Sequence, residues 1–212
     1  GRLAMTANTT GTANIAMGHE TLDANTTGSS NTALGAYAMS ANTTAANNTG
    51  VGYGALLANT TGASNTAVGK SALAANTTGT ENVAVGKGAL DASVSANEGT
   101  AIGHNALGTQ VTGSNNTAVG SIALATSNGG DDNTAVGRNA LGANTTASDN
   151  TAVGSGAGAA VTTGANNVFV GKASGSAMTT GANNVFVGVN TGDAANCSYN
   201  VMVGLDSLIG AA

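Results

Sequence analysis

A glycine returns every seventeen residues along most of this chain: Gly18, Gly35, Gly52, Gly69, Gly86, Gly103, Gly120, Gly137, Gly154, Gly171 and Gly188, with Gly204 following after sixteen. Gly1 is in phase with the series. Seventeen residues cannot enclose a core of their own. A unit that short folds only by stacking on copies of itself, each coil covering the apolar face of the next.

Counting from the repeat glycine as position 0, the phrase N-T-A-V-G-K-S-A-L-A-A-N-T-T-G at 65–79 gives the pattern. Position −1 is always a sizeable apolar residue, including Leu34, Val68, Ile102 and Val170, and position −3 is β-branched, from Ile15 and Thr32 through Val201. That alternation has the period of a β-strand with one face inward. It places positions −1 and −3 in the core and position −2, which is Ala or Gly from Ala16 to Ala152, on the outside. A second apolar column, Leu22, Met39, Leu56, Leu73, Leu90, Leu107, Leu124 and Leu141, follows at +4. The A-N-T-T-G segment beyond it carries turn residues that tolerate positive φ.

Two short strands and two turns per unit, stacked in register, predict an all-β chain: a capless parallel β-solenoid (β-roll) of about twelve 17-residue coils. At about 4.8 Å per coil the stack would be on the order of 58 Å long. One solenoid domain is expected over 1–212, with regular N-T-A-V-G-x-x-A-L repeats through 154 and variant N-N-V-F-V-G repeats over 155–212. In the variant repeats position −2 becomes Phe169, Phe186 and Met202, while +4 becomes Gly158, Gly175 and Gly192. With −2 facing outward, that Phe-Phe-Met row is an exposed apolar strip and predicts inter-chain packing.

Position −4 is Asn in eleven of twelve repeats, among them Asn31, Asn65, Asn82, Asn116, Asn133, Asn150, Asn167 and Asn184, with Gly99 the exception. Stacked amides can form a structural ladder from coil to coil. Turn preference alone is the alternative reading of the same column.

The repeat resembles those of phage-type tail-fibre proteins and is similar to the head repeats of trimeric autotransporter adhesins, where a shorter V-A-I-G phrase builds a parallel β-roll. N-T-A-V-G-x-x-A-L with N-T-T-G, and G-A-N-N-V-F-V-G at 164–171 and 181–188, carry the likeness over essentially the whole chain. The resemblance implies a homotrimeric fibre on a cell or virion surface that touches a host surface. The 17-residue period is longer than the usual adhesin head repeat, and no coiled-coil stalk or membrane anchor accompanies it here.

Composition narrows the functions. Only 7% of residues are charged and the net charge is −5 with five basic residues, which excludes nucleic-acid binding through phosphates. No run approaches the ~20 apolar residues of a membrane-spanning helix, so no membrane insertion is expected. The chain begins at Gly1 without a signal peptide, which reads as a processed or excised segment. Cys197 stands alone and forms no intrachain disulfide. No catalytic motif is present; His19 and His104 are five coils apart, and Gly52-Tyr53-Gly54 arises from the repeat and opens no helix. No enzyme is expected, and no cofactor.

All five basic residues lie in the variable column at +1, which reads Arg2, His19, Ala36, Tyr53, Lys70, Lys87, His104, Ser121, Arg138, Ser155, Lys172, Val189 and Leu205. A variable polar column is exposed. Tyr53, Lys70, Lys87, His104, Arg138 and Lys172 are the candidate contacts for an anionic glycan or a host cell surface, although the same charges serve solubility. Stacked acids at Glu81/Glu98 and Asp132/Asp149 raise a weak possibility of Ca²⁺; no other metal is indicated. Nine N-x-S/T sequons occur, at Asn8, Asn25, Asn42, Asn47, Asn59, Asn76, Asn115, Asn144 and Asn196.

The favoured function is a non-enzymatic, structural and adhesive extracellular fibre segment that partners itself. One alternative is a subunit of an end-to-end extracellular filament, suggested by uncapped strand edges. Another is an ice-binding protein, suggested by the Thr columns Thr26, Thr43, Thr60, Thr77 and Thr27, Thr44, Thr61, Thr78.

Overall fold

The computed structural model describes residues 1–192 and 196–207. The chain is an all-β parallel β-solenoid with one three-residue strand per coil and no helix among the described residues. It divides into two units. The first, Gly1–Asn105, carries β1 (Ile15–Met17), β2 (Thr32–Leu34), β3 (Thr49–Val51), β4 (Thr66–Val68), β5 (Val83–Val85) and β6 (Thr100–Ile102). The second, Ala106–Ala212, carries β7 (Thr117–Val119), β8 (Thr134–Val136), β9 (Thr151–Val153), β10 (Val168–Val170), β11 (Val185–Val187) and β12 (Val201–Val203).

Within each unit every strand pairs in parallel with the strand one repeat away, like residue on like. Thr66 faces Val83 and Val68 faces Val85; Phe169 faces Phe186 and Val170 faces Val187. β11 and β12 pair Val185 with Val201 despite the sixteen-residue step, so the shorter repeat keeps the strand register.

The rest of each coil is built from turns that use left-handed backbone at fixed positions. Non-glycine residues at +2, +4 and −5 have positive φ, as at Ser71 (56°), Leu73 (51°) and Ser64 (59°). Left-handed backbone is costly for a bulky residue such as Leu. It persists because the stack over-determines it: the Leu73 N–H donates to the Ala89 carbonyl at 3.0 Å and the Ser71 N–H to the Tyr53 carbonyl at 2.9 Å. The second strand expected around the Leu column is therefore absent, and that column sits in hydrogen-bonded turns. The repeat glycine is needed where the strand ends. Gly69 has φ +138°, and a Cβ there would lie 2.5 Å from the Gly86 carbonyl oxygen of the next coil.

The strand faces are the reverse of the expected assignment. Ala33, Ala67, Ala84, Ala101, Ala118, Ala135 and Ala152 at −2 are 0% exposed and point into the core beside the Leu column. Positions −3 and −1 point outward; Val68, Val83, Ile102, Val136, Val153, Val170 and Val185 are 36–40% exposed. Period-two alternation fixes that two faces exist, but it does not say which is inner. Ala is the inward residue because a single three-residue strand leaves no depth for a larger side chain opposite Leu.

The same inversion corrects the Phe row. Phe169 and Phe186 are fully buried in their own chain, ring centroids 5.9 Å apart, and Met202 is half-buried. They fill core space that glycine vacates: a Cβ at Gly175 would lie 2.3 Å from the Phe169 ring, and one at Gly192 would lie 2.4 Å from the Phe186 ring. A smaller version of the exchange occurs at β3, where Gly50 replaces Ala and a Cβ would meet Met39 Cγ at 3.0 Å.

The asparagine ladder is present in both units. The Asn82 N–H donates to Asn65 Oδ1 at 3.0 Å, Asn82 Nδ2 donates to the same oxygen at 3.0 Å, and Asn65 Nδ2 donates to the Gly79 carbonyl at 2.8 Å. Asn31, Asn133, Asn150, Asn167 and Asn184 likewise donate the backbone N–H to the Oδ1 one coil back and Nδ2 to a backbone carbonyl, while Asn116 restarts the ladder with Nδ2 donating to the Gly130 carbonyl at 2.7 Å; all are 0% exposed. At Gly99 the backbone N–H still donates to Asn82 Oδ1 at 2.9 Å. A second buried amide column lies at +7: Asn25, Asn42, Asn59 and Asn76 each donate to the preceding Asn Oδ1 at 2.8–3.1 Å. The A-N-T-T-G segment thus adds buried amide bonds between coils to the turn chemistry expected of it.

Candidate surface-contact site

The +1 residue follows the strand-ending glycine, where the chain turns outward. Its carbonyl accepts the N–H of the +2 residue one coil on, as in Tyr53 O from Ser71, Lys70 O from Gly88 at 3.0 Å and Lys87 O from Asn105 at 3.0 Å. The backbone is thus tied coil to coil while the side chains project from it. Tyr53, Lys70, Lys87 and His104 form one exposed run in the first unit; Arg138 and Lys172 are exposed in the second, flanked by Ser121, Ser155 and Val189. The structure therefore brings four of the six candidates into consecutive coils and leaves the other two without aromatic neighbours in the column.

Tyr37 extends the run, and the sequence reading missed it because it occupies +2. Position +1 of its own coil is Ala36, which leaves a gap between His19 and Tyr53, and +2 of the next coil is Gly54. The Tyr37 ring fills the gap. Its centroid lies 5.4 Å from that of His19 at an interplanar angle of 67°, and 5.6 Å from that of Tyr53 at 76°. Lys70 Nζ lies 5.8 Å from the Tyr53 ring centroid, within the range of a cation–π contact. His19 Nε2 lies 3.7 Å from Glu20. A signal for Tyr37 was present: two of the chain's three Tyr fall in consecutive coils.

The remaining candidates separate on burial. Asp132 accepts a hydrogen bond from Asn115 Nδ2 at 3.2 Å, and no group of three or more His, Cys, Asp or Glu that could hold a metal gathers among the described residues. Of the sequons, Asn25, Asn42, Asn59, Asn76 and Asn144 are 0% exposed with their amides bonded inside the core, so the folded chain presents none of them to a glycosylating enzyme. Asn47, Asn115 and Asn196 are exposed. The Thr26, Thr43, Thr60 and Thr77 hydroxyls donate to carbonyls of the next coil at 3.0–3.2 Å; Thr27, Thr44, Thr61 and Thr78 face solvent. Burial pushes the Cys197 thiol up from its ordinary value.

No family model matches this chain, and no curated protein or solved structure matches it.

Proposed function

We propose that this chain is a non-enzymatic, structural and adhesive segment of an extracellular fibre, built from copies of itself laid side by side. The observation that carries the reading is the outward strand face. Positions −3 and −1 hold only Thr, Val, Ile, Leu and Met in all twelve strands, with no charge and no bulky polar group. The −1 column is apolar in every coil of each unit, and soluble chains rarely leave such a strip in water unless it meets another surface. A second copy of the same strip is its natural complement in each unit, so the seam runs along Val68 and its column mates in the first unit and along Val136 and its column mates in the second, in place of the Phe row. The tail-fibre and adhesin resemblance supports a trimer and a position outside the cell.

Sedimentation equilibrium of the full chain tests this. A mass three times that of the chain is expected, and replacing one exposed valine per unit (Val68→Lys with Val136→Lys) should give monomers with an unchanged far-UV spectrum, because neither residue fills the core. A wild-type monomer overturns the reading, and long filaments in electron micrographs select the end-to-end alternative. The ice-binding alternative draws little support from the Thr26 column, whose hydroxyl protons are committed to carbonyls.

A further inference from the structure

We infer that the row formed by His19, Tyr37, Tyr53, Lys70, Lys87 and His104 is a binding strip for a carboxylate-bearing saccharide polymer, a uronate chain. The inference rests on the fibre reading and gives its adhesive contact a chemistry.

Three observations converge. The first is concentration. In a chain that is 2% aromatic, two of three Tyr and both His share one edge of the first unit. The second is continuity. His19, Tyr37 and Tyr53 pack ring edge to ring face, and Lys70 follows over the Tyr53 ring, so aromatic surface passes into cationic surface without a break. The third is exposure. Tyr53 is 55% exposed, the His19 side chain is 40% exposed, and Lys70, Lys87 and His104 are exposed. The fold does not require these rings, since the same column elsewhere holds Ala36, Ser121 and Ser155 in the same backbone.

The chemistry selects the partner. Exposed aromatic rings supply apolar faces for the C–H faces of pyranose rings, with a polar tip for hydroxyls. Lys70 and Lys87, on adjacent coils whose backbones are about 4.8 Å apart, offer a cation on each of two successive coils to carboxylates carried along a linear chain. Glu20, beside His19, adds an acceptor for sugar hydroxyls. Two ammonium groups on a chain of net charge −5 are too few to hold any polyanion by charge alone, so the stacked rings must supply the rest of the contact.

The test is biolayer interferometry of the full chain against immobilised polygalacturonate, dextran and single-stranded poly-dT. Polygalacturonate should bind, more weakly as salt rises, and dextran and poly-dT should bind at least about tenfold more weakly. Tyr53→Ala and Lys70→Ala should each lower polygalacturonate affinity by about tenfold, whereas Tyr53→Phe should cost no more than about threefold. Ser121→Ala, at an exposed position of the same column in the second unit, should change nothing. All three positions are exposed, and an unchanged far-UV spectrum checks that each variant folds. No binding to polygalacturonate, equal binding after Tyr53→Ala, or stronger binding to poly-dT would each overturn the inference. Each of these outcomes is independent of oligomeric mass, so a trimer that ignores polygalacturonate refutes the saccharide and leaves the fibre reading standing.

Discussion

The coils around β4 and β5 and those around β10 and β11 share a backbone but fill it differently. In the first, Ala at −2 packs beside Leu at +4 and Asn at +7. In the second, Phe169 and Phe186 occupy −2, Gly158, Gly175 and Gly192 occupy +4, and Val161 and Met178 replace Asn at +7. The φ at +4 stays left-handed in both, 51° at Leu73 against 62° at Gly175. Core volume is therefore conserved over the coil and not within any column. The features both versions keep, namely the strand-ending glycine, the left-handed turns and the −4 asparagine, are the ones that define the coil.

The exchange of bulk makes Phe169 and Gly175 energetically inseparable, and separating them should give the largest effect. Phe169→Ala leaves a ring-sized cavity and should cost about 3–5 kcal/mol in urea unfolding. Gly175→Leu should cost about 3 kcal/mol, because its Cβ falls inside contact distance of the Phe169 ring. The double variant approaches the Ala/Leu pairing of the other coils and should lose less than the sum of the two by about 2 kcal/mol. Strict additivity would show that the two core solutions are unrelated.

The second effect concerns what the two regions share. Asn65→Ala removes the acceptor for the buried Asn82 N–H and the donor to the Gly79 carbonyl, and should cost about 2–3 kcal/mol. Asn128→Ala, at an exposed bend outside the left-handed positions, should stay within about 0.5 kcal/mol. Similar losses at both sites would return the −4 column to simple turn preference.

These distinctions mark where the sequence was legible. Periodicity exposed the coil, the strand position, the ladder and the trade between −2 and +4, because each depends on which residue type recurs. It could not orient the strand. A Thr-Ala-Val strand reads equally well with either face inward, and the usual preference for burying Val over Ala points the wrong way when a coil is only one short strand and a set of turns thick. The left-handed Leu column was hidden for a related reason: nothing in a Leu side chain announces positive φ, which is imposed by the stack. In the surface strip, Tyr53, Lys70, Lys87 and His104 could be read from one column. Tyr37 could not, because it reaches the row from the next column through a gap at Ala36.

The smallest predicted effect runs in the stabilising direction. The +7 ladder is continuous from Asn25 to Asn76 and then meets Ser93, whose hydroxyl is too short to reach back. Asn76 Oδ1 and Ser93 Oγ are both buried without a hydrogen-bond partner. An asparagine at 93 would place Nδ2 where its column mates place theirs, donating to Asn76 Oδ1 and to the Ala96 carbonyl as Asn76 does to Asn59 Oδ1 and the Gly79 carbonyl. Ser93→Asn should therefore raise stability by about 1 kcal/mol, read as a higher urea midpoint at unchanged slope. Ser93→Ala, which removes one orphan and leaves the other, should change the midpoint by less. A Ser93→Asn variant no more stable than the parent would mean that the amides at +7 act as space-fillers, interchangeable with Val161 and Met178, and that the polar and apolar cores differ in composition without differing in how they hold the coil.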